Sequence, residues 1–322
     1  MAKTKAATRR APGRPGGKRT GPAPARKAGL GDWIRAARLA TLPLSAASVV
    51  LGTAVAFVFR GDEDGPGWHW WRAAACLAVA VCLQIGVNFA NDYSDGVRGT
   101  DAVRSGPRRL TASGAARPRT VLVVALVFFA LAAVAGLIIT WRTGHWWLIA
   151  VGAVCILAAW FYTGGRRPYG YYALGEVAVF VFFGLVATLG TQFVLIGRVT
   201  EDGWLAAVAS GAFATATILI ANTRDRANDR AAGKRTLSVL IGDLPSRILY
   251  VVLLAVPYVV AAVYGTFYAD QAWYAYFTLL ITVPAAIIAI AARTPRELVT
   301  VLRLTALGSL AFALLLGWAI AF

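Results

Sequence analysis

Two short acidic segments hold the residues best suited to chemistry. The first, NFANDYSDGVRGTD, runs from Asn88 to Asp101, and the second, ANTRDRANDRAAGKRTL, from Ala221 to Leu237. Asp92 and Asp95 stand three positions apart, Asp225 and Asp229 four apart, so in a helix each pair projects from one face. Paired carboxylates suit a hard divalent cation. Mg2+ prefers oxygen ligands, keeps several waters, and is usually held by one or two carboxylates together with substrate phosphates. The four aspartates are therefore the candidate metal ligands. Arg98, Arg104, Arg108 and Arg109 accompany the first pair, and Arg224, Arg230, Lys234 and Arg235 the second. Carboxylates alone would bind metal; with guanidinium and ammonium groups beside them they predict a metal-bridged diphosphate.

Other chemistries find no footing in the sequence. Cys76, Cys82 and Cys155 fall inside apolar runs without CxxC spacing, as small core residues do. His69 and His145 lie between apolar runs beside tryptophans, and no histidine-based metal or nucleophile centre assembles from two such positions.

The elements that position the aspartates are membrane helices. At 322 residues, 58% hydrophobic and 15% charged, the chain is more apolar than a soluble globule. Charge-poor runs at roughly 39–59, 73–90, 120–141, 147–163, 177–197, 203–222, 248–268, 273–292 and 304–322 each approach the ~20 residues a bilayer requires. Nine transmembrane helices are expected, forming an all-α integral membrane protein. With the N-terminus in the cytoplasm, all 32 Lys and Arg residues except Arg60, Arg72, Arg142 and Arg198 fall on the inner side, as the positive-inside rule requires. Both acidic segments then lie at the cytoplasmic ends of even-numbered helices, the second and the sixth. Asp92 and Asp225 are 133 residues apart, a separation consistent with two similar four-helix halves whose acidic ends face each other.

Residues 1–30 are a different material, with nine basic residues, no acidic one and many prolines and glycines. This composition predicts a disordered cytoplasmic tail preceding a membrane domain over residues 31–322. Tethered to a bilayer, the tail is expected to contact anionic membrane lipid, not nucleic acid. Glu176, in YYALGEVAVFVFFG at the start of the fifth apolar run, is a separate case. An ionisable group at membrane depth costs at least ~2.5 kcal/mol without a partner or a wet cavity. It either serves a substrate, reaches interfacial water, or pairs with Arg166 or Arg167 of the preceding loop.

NDYSDGVRGTD resembles the first aspartate-rich motif of the UbiA-type intramembrane prenyltransferases, and NTRDRANDRAAGKRTL resembles their second. The N-D-Y-x-D form, the further Asp101, the G-K-R-T-L ending, the loop YTGGRRPYGYYALGE and ARLATLPLSAASVVLGTA in the first run are similar to the branch that prenylates 1,4-dihydroxy-2-naphthoate. The similarity spans about residues 33–320. It implies a nine-helix UbiA-type bundle in the cell membrane, its active site facing the cytoplasm. The resemblance implies catalytic and metal-binding roles for Asp92, Asp95, Asp225 and Asp229, with Mg2+ as cofactor. Substrate contacts would come from Asn88, Asn91, Arg98, Tyr162, Glu176, Asn222, Arg224, Lys234 and Arg235. The implied substrates are a polyprenyl diphosphate and 1,4-dihydroxy-2-naphthoate, the products CO2, diphosphate and a demethylmenaquinone.

Three alternatives differ in what they require. Another aromatic acceptor, such as 4-hydroxybenzoate, would keep both aspartate motifs. A CDP-alcohol phosphotransferase would need its second aspartate pair soon after DYSDG, not 133 residues away. A transporter would place its acids near the membrane midplane, whereas here they cluster at one face.

Overall fold

Glycine and proline set the ends of the helices. In the computed structural model, which describes residues 26–59, 69–100 and 109–322, the chain is helical throughout. Helix α1 (Leu30–Ala36) leads through a 3-10 turn into α2 (Leu42–Val58), which has Pro43 in its first turn. Helix α3 (Trp70–Arg98) stops at Gly99, whose φ of 74° is the left-handed conformation that closes helices. Helix α4 (Pro118–Thr143) begins on proline and ends at Gly144 with φ 73°. After α5 (Leu148–Phe161) comes a loop, then α6 (Gly175–Val179), which continues through a π-helical stretch (Phe180–Leu189) into α7 (Gly190–Ile196). The rest comprises α8 (Glu201–Ala231), the short α9 (Leu237–Ile241), α10 (Asp243–Phe267), α11 (Leu279–Ala291) behind a 3-10 segment, and α12 (Pro295–Ala321).

Among the described residues, eight helical stretches are long and apolar enough to cross a membrane. The fourth expected run, at 147–163, is the exception: α5 is a helix of only 14 residues. It is about 21 Å long at 1.5 Å per residue, short of the ~30 Å hydrocarbon core, because the Gly164–Gly165 pair and Pro168 end it early. The second and sixth apolar runs, by contrast, extend beyond their apolar parts. Helices α3 and α8 carry both acidic motifs as continuous helix.

Helix α8 is the axis of the bundle. In its apolar stretch 72% of residues are buried, against 22% for α4, which turns most of its surface to lipid. Helices α2, α10 and α12 and the π-helical stretch pack around α8, while α3 pairs with α4. Close approach depends on small residues, as is usual between membrane helices. A Cβ on Gly184 would stand 2.7 Å from both the Ala207 carbonyl oxygen and the Gly211 Cα, and one on Gly211 would stand 2.7 Å from the Phe180 ring. The α6–π helix therefore lies directly against α8. Residues 1–25, Arg60, Asp62 to Asp64, Asp101, Arg104 and Arg108 lie outside the described residues.

Candidate active site

The acidic ends of α3 and α8 meet at one end of the bundle, joined by the loops at 109–117, 162–174 and 232–236. Asp95, 3% exposed, is the hub on α3. Its Oδ1 accepts a hydrogen bond from the Tyr171 hydroxyl at 2.7 Å. Its Oδ2 receives Lys234 Nζ at 3.2 Å and lies 3.9 Å from Arg109 Nη2. Lys234 Nζ is also 3.9 Å from Asp229 Oδ1 on α8. One lysine thus ties the two motifs together, and its ammonium packs 4.6 Å from the centre of the Tyr171 ring. The loop backbone fixes this arrangement, since the Arg235 N–H donates to the Tyr171 carbonyl at 2.8 Å and the Lys234 N–H to the Asp229 carbonyl at 2.8 Å. The buried Asp225 is held by Arg224 through two charge-assisted bonds of 2.8 and 2.7 Å.

Asp92 meets a loop backbone instead of the Lys234 cluster. It is 1% exposed, and its Oδ2 and Oδ1 accept the Leu110 and Thr111 N–H groups at 2.9 and 2.8 Å. Three helical positions leave two side chains about 60° apart around the axis. That angle is enough to send Asp92 to the 109–111 turn while Asp95 meets Lys234. The Asp92 carboxylate thereby anchors the turn that carries Arg109 to Asp95.

The substrate-contact candidates divide in the same way. Asn91 lies in the junction, accepting from Thr163 Oγ1 at 2.6 Å. Asn88 donates to the Ala37 carbonyl at 3.0 Å and holds the N-terminal helix to α3. Arg98 donates to the Thr163 and Gly165 carbonyls, stitching the 162–174 loop to α3, and stacks 5.7 Å from the Tyr171 ring centre. In both cases tertiary packing brings a backbone carbonyl within reach of the side-chain N–H donors. The Arg235 side chain is exposed, and only its backbone joins the cluster. The sequence does not single out Tyr171 or Thr163, each being one more polar group in a loop dense with tyrosine and glycine. The only available signal for Tyr171 was the YGYY run itself. Burial and the neighbouring Asp95 charge push the Tyr171 phenol above its ordinary range, so it remains a donor.

Glu176 finds its partner on α8, not on the loop arginines. Asn222 Nδ2 donates to Glu176 Oε1 at 2.9 Å, and Thr215 Oγ1 contacts the Glu176 carbonyl at 3.5 Å. Tyr162 packs edge-on to Tyr169, with ring centres 5.5 Å apart. Its hydroxyl sits so close to Gly175 that a Cβ there would meet it at 3.1 Å.

The donor chemistry fits Mg2+ shared with a substrate. Asp95, Asp225 and Asp229 supply carboxylate oxygens from both helices, and Asn91 supplies an amide oxygen. Among the described residues no three acids or imidazoles close into a cage by themselves.

An apolar helical bundle with an acid-and-cation junction at one end defines a multi-pass membrane protein with a polar site where helices α3 and α8 emerge. The chain belongs to the UbiA prenyltransferase family, which matches residues 49–303. It is 46% identical over 309 residues to a 1,4-dihydroxy-2-naphthoate octaprenyltransferase of Mycobacterium tuberculosis, covering 92% of this chain and 98% of the relative. The fold resembles a solved UbiA homologue from Aeropyrum pernix, with a TM-score of 0.64 at 14% identity over 86% of this chain and 96% of that one. It also resembles a UbiA homologue from Archaeoglobus fulgidus solved with DMAPP and Mg2+, with a TM-score of 0.56 at 15% identity over 90% and 99% of the two chains.

Proposed function

We propose that this protein transfers a polyprenyl group from a polyprenyl diphosphate to 1,4-dihydroxy-2-naphthoate, releasing diphosphate and CO2 and forming the quinol of demethylmenaquinone. The observation that carries the transfer chemistry is the junction of Asp95 and Asp229 on Lys234 at the end of an apolar bundle. A lipid chain lies among helices while its charged head reaches acids and cations. The naphthoate acceptor is supported by identity to the mycobacterial relative over nearly its whole length.

Asp95, Asp225 and Asp229, with Asn91, would hold Mg2+, which supplies positive charge for the phosphate oxygens as the leaving group departs. The protein's own cations do comparable work. Lys234 and Arg109, which neutralise Asp95, are placed to turn to the diphosphate and stabilise the charge that grows as its bond to C1 breaks. Tyr171 keeps Asp95 oriented during that exchange. The allylic cation forms beside aromatic side chains able to attract it through their faces, and the electron-rich ring attacks it. The site end would face the cytoplasm from the plasma membrane, an orientation that the excess of Lys and Arg on that side supports.

The test uses purified protein with Mg2+, a polyprenyl diphosphate and 1,4-dihydroxy-2-naphthoate, following prenylated quinol and CO2. Transfer to 4-hydroxybenzoate in place of the naphthoate would overturn the acceptor, and no metal-dependent transfer to either would overturn the reaction class.

A further inference from the structure

Glu176 is a buried carboxylate with one oxygen satisfied and the other not. The residue is 4% exposed. Asn222 fixes Oε1 at 2.9 Å, and Oε2, also buried, has no hydrogen-bond partner among the described residues. A carboxylate oxygen without a donor in a low-dielectric interior is costly, and a membrane bundle has apolar residues to offer in its place. Such an atom is placed to meet a donor that arrives with a ligand.

Three features locate that ligand. Asn222 lies three positions before Asp225 on α8, so Glu176 sits about 4.5 Å, nearly one helical turn, deeper in the bundle than the diphosphate junction. Tyr162 directs its hydroxyl to the helix start beside Glu176, so close that a Cβ on residue 175 would stand 3.1 Å from it. Its chain neighbour Thr163 is bonded to Asn91 on α3. The site is therefore spanned from both acidic helices, one turn below the diphosphate, where the second substrate must stand to reach C1. The helix bearing Glu176 runs into ten residues of π-helix, a distortion often found at functional sites.

We infer that Glu176, oriented by Asn222 and faced by Tyr162, forms the subsite for the aromatic acceptor and removes the proton from its hydroxyl. This rests on the functional reading above and adds the base to it. Glu176 Oε2 takes the proton of the hydroxyl next to the carboxyl-bearing ring carbon. The C1–O bond breaks, diphosphate leaves with the bonding pair, and the phenolate electron pair moves through the ring to that carbon, which bonds to C1 of the allylic cation. The ring carbon now carries both prenyl and carboxylate groups beside a ketone. CO2 departs, the pair it leaves behind returns through the ring to the ketone oxygen, and that oxygen recovers its proton from Glu176. The proton is borrowed and returned, so no further reactant is needed.

The experiment compares wild type with Glu176→Gln in lipid nanodiscs, measuring naphthoate prenylation and, separately, Mg2+-dependent binding of the polyprenyl diphosphate. The expected result is a fall in turnover on the order of 10²- to 10⁴-fold, the usual scale for a lost general base, with diphosphate affinity unchanged. Turnover within twofold of wild type would overturn the assignment. Wild-type protein that prenylates nothing would instead overturn the functional reading. If Glu176→Gln also loses diphosphate binding, the wild type decides alone with an acceptor O-methylated at the hydroxyl next to the carboxyl-bearing carbon. The methyl ether has no proton to give and is expected to compete with the naphthoate without turning over. Its prenylation at the naphthoate's rate would overturn the inference.

Discussion

Asp95 Oδ2 and Lys234 Nζ, 139 positions apart in the chain, meet at 3.2 Å in the buried end of the bundle. This contact makes one site of two sequence motifs, and it sets a first prediction. Lys234→Met removes a hydrogen bond to a charged partner, the kind that contributes about 1.5–3 kcal/mol. The KM for polyprenyl diphosphate should rise roughly 10- to 100-fold, with a smaller change in the KM for the naphthoate. Steady-state kinetics with each substrate varied in turn checks this.

Asp92 and Asp95 should separate in their response to Mg2+. Asp92→Asn sets an amide N–H₂ against one of the two backbone donors at Leu110 and Thr111. Leaving a buried donor unsatisfied costs about 1–3 kcal/mol. A lower melting temperature is expected, with a near-normal Mg2+ concentration for half-maximal activity in the protein that remains folded. Asp95→Asn should abolish activity or raise the Mg2+ requirement sharply. A shift in Mg2+ half-saturation in Asp92→Asn equal to that in Asp95→Asn would return Asp92 to the metal.

Tyr171→Phe deletes the 2.7 Å donor to Asp95 and leaves the ring that Lys234 packs on. About a 5- to 30-fold loss of kcat is expected, on the scale of one charged hydrogen bond in part compensated by solvent. Burial, then the Asp95 charge, raises the phenol above its ordinary value of 10.0. The neutral form is therefore favoured by folding. Its contribution is complete below pH 10 and is lost as pH rises from there through the higher folded value. The ratio of wild-type to Tyr171→Phe activity should accordingly be the same at pH 7 and at pH 9.

Gly184→Val tests the close approach that delivers Glu176 to Asn222. The new Cβ would stand 2.7 Å from backbone atoms at Ala207 and Gly211, which cannot swing aside as a side chain can. Overpacking of this kind costs about 1–3 kcal/mol. A lower melting temperature in nanodiscs is expected, together with loss of prenylation exceeding any loss of diphosphate binding.

The sequence by itself determined the material and the chemistry. Apolar run length specifies membrane helices, and the pairing of aspartates with arginine and lysine specifies an oxygen-rich site for a cation and a diphosphate. Both follow from properties local to a few turns of chain, hydropathy in one case and residue type at fixed spacing in the other. Spacing also placed Asp225 and Asp229 on one face of a single helix end. Tertiary structure decided which partner each side chain meets. Asp92 and Asp95 look alike at three positions' separation, yet one closes a loop and the other joins Lys234. Arg98 and Asn88 go to carbonyls at 163, 165 and 37, and Glu176 goes to Asn222, 46 positions on. Those outcomes depend on how closely helices approach, on glycines such as Gly184 and Gly211, and on where loops return. Partner choice is set by competition among donors and acceptors brought together from distant chain segments, and local sequence carries no measure of that distance.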